Sequence, residues 1–327
     1  MKLFVYSMRE FDELPDFRKF CDKYQLEWAY TGETPCMDNL DAAAGYDVVN
    51  IITTVIDRKM IDRWREIGVK CIATRTIGYD HIDYEYAKKA GIGVIHITYS
   101  PSSVADYTIM MMLMGCRKIK QIMERASVQD YTLKGKMGIE LPNCTVGIIG
   151  TGKIGKTVIK HLSGFGCKIL AYDIQESGEA AQSAEYVSLE EIFTRCDIIS
   201  LHIPAADDNY HMIDADAISR MKQGVMIINC ARGSLIDTNA LIDGIESGKI
   251  GFAGLDVIEQ ESGLYYFDRM GEPLNNPQLA ILRSYSNVLV TPHTAFYTDM
   301  AVADMVENSI ICAKDFMEGK ETPFKVI

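Results

Sequence analysis

Gly150-Thr-Gly-Lys-Ile-Gly155 follows an apolar run, Cys144-Thr-Val-Gly-Ile-Ile149, and opens a stretch of helical character. A second apolar run, Cys167-Lys-Ile-Leu-Ala-Tyr172, then ends at Asp173. Strand, glycine turn, helix and second parallel strand in this order predict a βαβ unit that binds a dinucleotide. Gly150 lets the chain turn sharply out of the strand, Gly152 lets backbone N–H groups approach a pyrophosphate, and Gly155 lets the helix pack on the sheet. The pyrophosphate then meets the positive end of a helix. Asp173 is placed to accept hydrogen bonds from both hydroxyls of an adenosine ribose. Because a carboxylate there repels a 2′-phosphate, the pattern predicts NAD rather than NADP. The glycine string alone is a weak signal; its register with both strands and Asp173 gives it weight.

A chain of 327 residues is long enough for about two domains. Its net charge of -12 argues against nucleic acid or an anionic membrane as partner, since either favours a basic face. Nine cysteines without a C-x-x-C pair or metal-type spacing read as reduced thiols of a cytoplasmic protein, and no metal site is expected. Met1-Lys-Leu-Phe-Val-Tyr6 has the character of a first strand and lacks a signal-peptide pattern. The apolar run Ile109–Met114 is too short to cross a bilayer.

The first hundred residues alternate short apolar runs (Leu3–Tyr6, Val48–Ile52, Cys71–Ala73, Gly93–Ile97) with helical patterns, which predicts a small parallel α/β domain. Ser100-Pro101 is expected to start a helix running to about Glu124, with Ser100 as its cap. Further strands are expected at Asp197–His202, Val225–Asn229, Gly251–Val257 and Val288–Val290. After Thr298, apolar residues at helical spacing (Val302, Met305, Val306, Ile310, Ala313) predict a long helix that returns to the first portion. The expected fold class is therefore α/β, with two Rossmann-like domains of doubly wound parallel sheet and a cleft between them. Residues 1–100 and 299–327 would form the discontinuous, flavodoxin-like substrate-binding domain, and 101–298 the NAD-binding domain.

Ligands of open α/β sheets bind beyond the carboxyl ends of the strands. Arg232, Glu261 and His293 each follow a predicted strand there. Arg232 can fork hydrogen bonds to a carboxylate and its neighbouring carbonyl. His293 can give a proton to a ketone oxygen as hydride reaches the carbon, and take it back in reverse. Glu261, bonded to the imidazole, would hold its orientation and favour its protonated form. Taken singly, each has a plain alternative: Arg232 in a surface ion pair, Glu261 as a solvated carboxylate beside Glu259, His293 capping a turn after Pro292. The other five histidines read as structural.

Six stretches together resemble the D-isomer-specific 2-hydroxyacid dehydrogenase family from end to end, in particular its D-lactate dehydrogenase branch. They are Thr74-Arg-Thr-Ile-Gly-Tyr-Asp-His-Ile-Asp83, Tyr99-Ser-Pro-Ser-Ser-Val-Ala105, the glycine loop with its strand, Met221-Lys-Gln-Gly224, Asn229-Cys-Ala-Arg-Gly233 and Thr291-Pro-His-Thr-Ala-Phe-Tyr297. The resemblance implies the roles given above for Arg232, Glu261 and His293. It further implies that the backbone of Ile77 and Gly78 holds the substrate carboxylate and that Tyr99 stands over the substrate. Lys153 and Ile154 would lie under the pyrophosphate, Ile203, Pro204 and Asn209 near the adenosine, and Cys230, Ala231 and Asp256 near the nicotinamide. It implies a homodimer. Asp106 stands where much of the family carries Glu, and Phe296 precedes Tyr297 where a second tyrosine is frequent.

Val48-Val-Asn-Ile-Ile-Thr-Thr-Val-Ile56 offers no Arg or Lys, which disfavours a substrate with a second carboxylate. Pyruvate, reduced to D-lactate, is the first reading. Ile51, Ile52 and Phe296 could equally line a pocket for a branched or aromatic chain, as in 2-oxoisocaproate or phenylpyruvate. An NAD-sensing binding protein without turnover is the alternative of another class.

Overall fold

The computed structural model describes all 327 residues except Ser262 and Pro323. Two compact units are distinguished by their internal contacts: Met1–Ser100 with Tyr297–Ile327, and Pro101–Phe296.

The first unit contains β1 (Lys2–Val5), α1 (Leu14–Lys23), β2 (Glu27–Tyr30), β3 (Val48–Ile51), α2 (Arg58–Glu66), β4 (Cys71–Thr74), α3 (Tyr84–Ala90) and β5 (Gly93–Ile95). Its strands pair in parallel in the order β2-β1-β3-β4-β5. Side chains alternate across the sheet with a period of two. Leu3, Val5, Val48 and Cys71 therefore enter one buried cluster and Phe4, Val49, Ile51 and Ile72 the other. The second unit contains α4 (Ser102–Cys116), α5 (Ile119–Ser127), β6 (Thr145–Ile149), α6 (Lys153–Ser163), β7 (Lys168–Tyr172), β8 (Glu185–Tyr186), α7 (Leu189–Arg195), β9 (Ile198–Leu201), α8 (Ala215–Arg220), β10 (Val225–Asn229), α9 (Thr238–Glu246), β11 (Ile250–Leu255), α10 (Pro277–Ser284) and β12 (Val288–Val290). Its parallel order is β12-β11-β10-β9-β6-β7-β8, and the direction of winding changes between β6 and β9. This is the doubly wound α/β class. The chain then returns to the first unit as α11 (Asp299–Met317), capped by Thr298 and packed on α1 and β4.

Three local features differ from the sequence reading. The helix expected from 101 to about 124 is two helices, broken at Lys118, which adopts a left-handed conformation (φ 53°). α4 buries nine of its residues and exposes one stripe through Asp106 and Met110, whereas α5 buries none. Pro101 rather than Ser100 stands at the N-cap position of α4, and the Ser100 N–H donates to Asp304 Oδ2 at 2.9 Å. Strands β2 and β8 had no signal in the apolar pattern, because both lie at sheet edges and none of their residues is fully buried. All nine cysteines are unpaired thiols.

Candidate active site

In the second unit, Gly150 leaves β6 with φ 97°, and a Cβ there would stand 2.6 Å from the His202 carbonyl oxygen. A Cβ on Gly155 would overlap the Gly150 carbonyl at 1.9 Å, so α6 packs against the turn only with glycine at that position. Gly152 caps α6, and nothing lies within 4 Å of where its Cβ would stand. The approach to the first turn of α6, where Lys153 and Ile154 begin the helix, is thus open to a pyrophosphate. Asp173 follows β7; its Oδ2 accepts from Thr151 N at 2.5 Å and Thr151 Oγ1 at 3.0 Å, and its Oδ1 from Gln175 N at 3.0 Å. Burial works to raise its pKa, but these donors outweigh burial and hold the carboxyl below its usual value. Ile203 touches the glycine turn. Asn209 closes its own loop, accepting from Ala206 N and donating to Pro204 O, both at 2.9 Å.

Arg232, Glu261 and His293 follow β10, β11 and β12, three adjacent parallel strands. Asn229, buried at the end of β10, shapes the turn by donating to Arg232 O at 2.8 Å and accepting from Ala231 N at 3.0 Å. The Arg232 Nη1 donates to Ala231 O at 2.8 Å. Cys230 lies 3.8 Å, sulfur to sulfur, from Met111, and burial pushes its thiol pKa up, so it is an inert wall rather than a nucleophile.

His293 adopts a left-handed conformation (φ 53°), which strains a residue with a Cβ. Asp256, fully buried, holds the strained turn. Its Oδ1 accepts from Thr291 Oγ1 at 2.6 Å and Thr294 N at 2.9 Å, its Oδ2 from Ala295 N at 2.8 Å, and its carbonyl from His293 N at 2.8 Å. Tyr266 adds a bond from its hydroxyl to His293 O at 2.8 Å. The imidazole Nδ1 lies 2.6 Å from Glu261 Oε1. A carboxylate only accepts, so Nδ1 carries the proton and Nε2 is left to exchange one. Glu261 is itself fixed by Ile258 N at 3.0 Å. Its neighbour Glu259 is engaged by His211 Nε2 at 2.7 Å and by Thr238, which separates the two acids of this stretch by role. The ring of Phe296 meets those of His293 and Tyr266 edge to face at 6.4 Å. Neither Tyr266 nor the anchoring role of Asp256 was legible from spacing, since each depends on turns that bring distant residues together.

In the first unit, the loop after β4 is fastened from behind. Thr76 Oγ1 donates to Gly78 O at 2.6 Å, and His96 Nδ1 lies 3.0 Å from Ile77 O. Tyr99 immediately precedes Ser100, whose backbone is tied to α11. Ile51 is fully buried in the core, whereas Ile52 is partly exposed. Among the described residues there is no group of three or more His, Cys, Asp or Glu side chains able to hold a metal, and no helix long and apolar enough to cross a membrane.

Residues 109–295 match the model of the D-isomer specific 2-hydroxyacid dehydrogenase NAD binding domain. The chain is 42% identical over 321 residues to an aromatic 2-oxoacid reductase of Clostridium sporogenes, covering 97% of this chain and 96% of that protein. The chain belongs to the D-isomer specific 2-hydroxyacid dehydrogenase family. It is an NAD-dependent oxidoreductase of D-2-hydroxy acids. Its structure is similar to that of a D-lactate dehydrogenase from Treponema pallidum, with a TM-score of 0.91 and 30% identity over the whole of both chains. It is also similar to the NAD-complexed form of the family member from Lactobacillus delbrueckii ssp. bulgaricus, with a TM-score of 0.89 and 29% identity over the whole of both chains. The glycine turn and the ionised Asp173 of this dehydrogenase fit NAD.

Proposed function

We propose that this dehydrogenase reduces pyruvate to D-lactate, with Arg232, Glu261 and His293 as its catalytic residues. The observation that carries the reading is the 2.6 Å bond between His293 Nδ1 and Glu261, which leaves Nε2 as the proton-exchanging atom. Bound NADH supplies the hydride. His293 gives its Nε2 proton to the carbonyl oxygen of the substrate, and Glu261 stabilises the cationic ring before the transfer. Arg232 holds the substrate carboxylate and polarises the adjacent carbonyl through its forked N–H groups. The backbone of Ile77 and Gly78, supported by Thr76 and His96, is assigned to the substrate carboxylate, and Tyr99 and Phe296 to the substrate side chain.

On this reading residues 1–100 and 299–327 bind the 2-oxo acid, and 101–298 bind NAD. Gly150, Gly152, Lys153, Ile154 and Gly155 cradle the pyrophosphate, Asp173 takes the adenosine ribose, and Ile203, Pro204 and Asn209 border the adenosine. Cys230, Ala231 and Asp256 border the nicotinamide. A homodimer is supported by the exposed apolar side chains of Met123, Val128, Tyr131, Leu133 and Met137. The unpaired thiols suit a cytoplasmic enzyme.

The buried position of Ile51 removes one of the residues that could line a larger pocket, which favours a small substrate. The 42% identical relative named an aromatic 2-oxoacid reductase supports a second reading, with phenylpyruvate or 2-oxoisocaproate preferred. A panel of 2-oxo acids compared by kcat/KM with NADH separates the two. Pyruvate is expected to lead. One methylene discriminates by only about 1–3 kcal/mol, so activity on the larger acids is expected too. A preference of about tenfold or more for either larger acid, beyond the smaller end of that range, overturns the pyruvate reading.

A further inference from the structure

Asp173 is the end of a chain of hydrogen bonds that reaches beyond the glycine loop. Ser177 N donates to the Tyr186 hydroxyl at 2.8 Å, Tyr186 donates to Thr151 Oγ1 at 2.7 Å, and Thr151 donates to Asp173 Oδ2 at 3.0 Å. The direction of every bond is fixed by the two ends. A backbone N–H only donates and a carboxylate only accepts, so each hydroxyl between them must accept one bond and donate one. Each bond polarises the next, which strengthens the donor presented to the carboxylate. Thr151 is the central link: it is buried, lies inside the glycine turn, and bonds Asp173 through both its backbone N–H and its hydroxyl. Tyr186 sits on the edge strand β8, with its ring partly buried against the core of the second unit. Its hydroxyl joins the segment after β7 to the phosphate loop after β6.

We propose that Tyr186 is a positioning residue for cofactor choice. Through Thr151 it fixes the Asp173 carboxylate in the orientation that accepts the ribose hydroxyls of NAD and stands against a 2′-phosphate. This rests on the reading of Asp173 as the ribose acceptor. A carboxylate held on both oxygens by chain donors cannot swing aside, so an added phosphate meets a fixed charge. Once the relay is cut, Thr151 Oγ1 loses its donor and becomes free to rotate, so the carboxylate keeps the backbone N–H groups of Thr151 and Gln175 but loses the side-chain donor that completes its orientation. NADH then loses an oriented acceptor, and NADPH loses part of its repulsion.

Tyr186→Phe removes the relay while keeping the buried ring. The expected result is a rise of about fivefold in KM for NADH and in its dissociation constant by fluorescence titration, the size of one ordinary hydrogen bond. The NADH-over-NADPH ratio of kcat/KM falls by at least as much, while kcat at saturating NADH and KM for the 2-oxo acid hold. Thr151→Val should act in the same direction, and Thr151→Ser, which keeps the hydroxyl, should restore the ratio. In an Asp173→Ala background, Tyr186→Phe should change the ratio no further, because two substitutions in one relay are not additive.

If Asp173→Ala collapses the ratio but Tyr186→Phe leaves it unchanged, the relay is overturned and the ribose reading stands. If Asp173→Ala itself leaves the ratio unchanged, the ribose reading fails and the proposal with it. Equal loss of NADH and NADPH affinity in Tyr186→Phe, with a lowered melting temperature, would assign Tyr186 to packing alone and also overturn the proposal.

Discussion

The two units share one architecture, a parallel sheet covered on both faces, yet they place ionisable groups at the carboxyl ends of their strands in opposite ways. After β4 of the first unit, Arg75 is fully buried and donates to Glu13 Oε1 at 3.1 Å, to Asn50 Oδ1 at 2.7 Å, and to the carbonyls of Tyr6 and Ser7. Glu13 is equally buried, and Asn50 passes the network on to Ser309 of α11 at 2.9 Å. After β12 of the second unit, His293 and Glu261 form their pair with about a quarter of each side chain exposed (27% and 25%). The fold fixes where a site can form, and burial then decides which charges act. A pair sealed from solvent cannot exchange a proton with a substrate; it can only hold the backbone that carries the next loop. A partly exposed pair keeps its orientation and still reaches a ligand.

The largest test of this contrast is on the acting side. His293→Ala should lower kcat by about 10²–10⁴-fold, the usual range for a positioned proton donor, while NADH binding by fluorescence titration changes little. Steady-state rates that fall by less than tenfold would mean that another group delivers the proton, and that the partly exposed pair is a frame like the buried one.

On the sealed side the effect belongs to stability. Arg75→Met leaves the buried Glu13 with Arg9, at 3.2 Å, as its remaining ionic partner and should cost about 3 kcal/mol in urea unfolding, the lower end of the range for breaking a buried pair. Adding Glu13→Gln should return part of it, since a buried charge that has lost one of its two partners is then gone. The exposed pair Arg58–Asp83 in the same unit, at 2.9 Å, should matter by less than about 1 kcal/mol in Arg58→Ala. An Arg75→Met protein as stable as the parent would break the comparison, because the network would then be an ornament of the core.

The sequence carried these two arrangements unequally. The second unit was legible because its chemistry lies in strand-turn patterns: the glycine turn follows an apolar run, and Arg232 and His293 come directly after Val225–Asn229 and Val288–Val290. Interior strands such as β3 and β10 are buried at every residue and read as apolar runs, whereas the edge strands β2 and β8 bury no residue fully and left no such mark. The Arg75–Glu13 pair was not legible, since 62 residues separate its members and nothing local distinguishes a buried arginine from a solvated one. For the same reason Asp256 read as a neighbour of the nicotinamide and not as the anchor of the His293 turn. Its partners, Thr291, Thr294 and Ala295, come from the next strand's loop.

His202, at the end of a central strand of the second sheet, is a third case. It follows β9, its backbone N–H donates to Ile149 O at 2.7 Å, and its Nε2 lies 2.9 Å from Ser200 Oγ. Burial pushes its pKa down to about 4, from an ordinary value near 6.5. Although it neighbours the glycine turn and is only partly buried, its lowered pKa keeps the ring neutral when the enzyme works. The folded state favours the neutral ring, so its stabilisation is complete above about pH 6.5 and is lost as the pH falls from there toward 4. At pH 5 the loss should be about 2 kcal/mol of unfolding free energy relative to pH 7.5. Carboxylates titrate over the lower part of that window as well, so the informative quantity is a difference between proteins. A His202→Gln variant, with no proton to gain, should lose about 2 kcal/mol less than the parent between the two pH values in urea unfolding. Parallel losses in the two proteins would mean that the folded chain accepts a charged ring at this position. His202 would then belong with the groups that can exchange protons beside the cofactor loop.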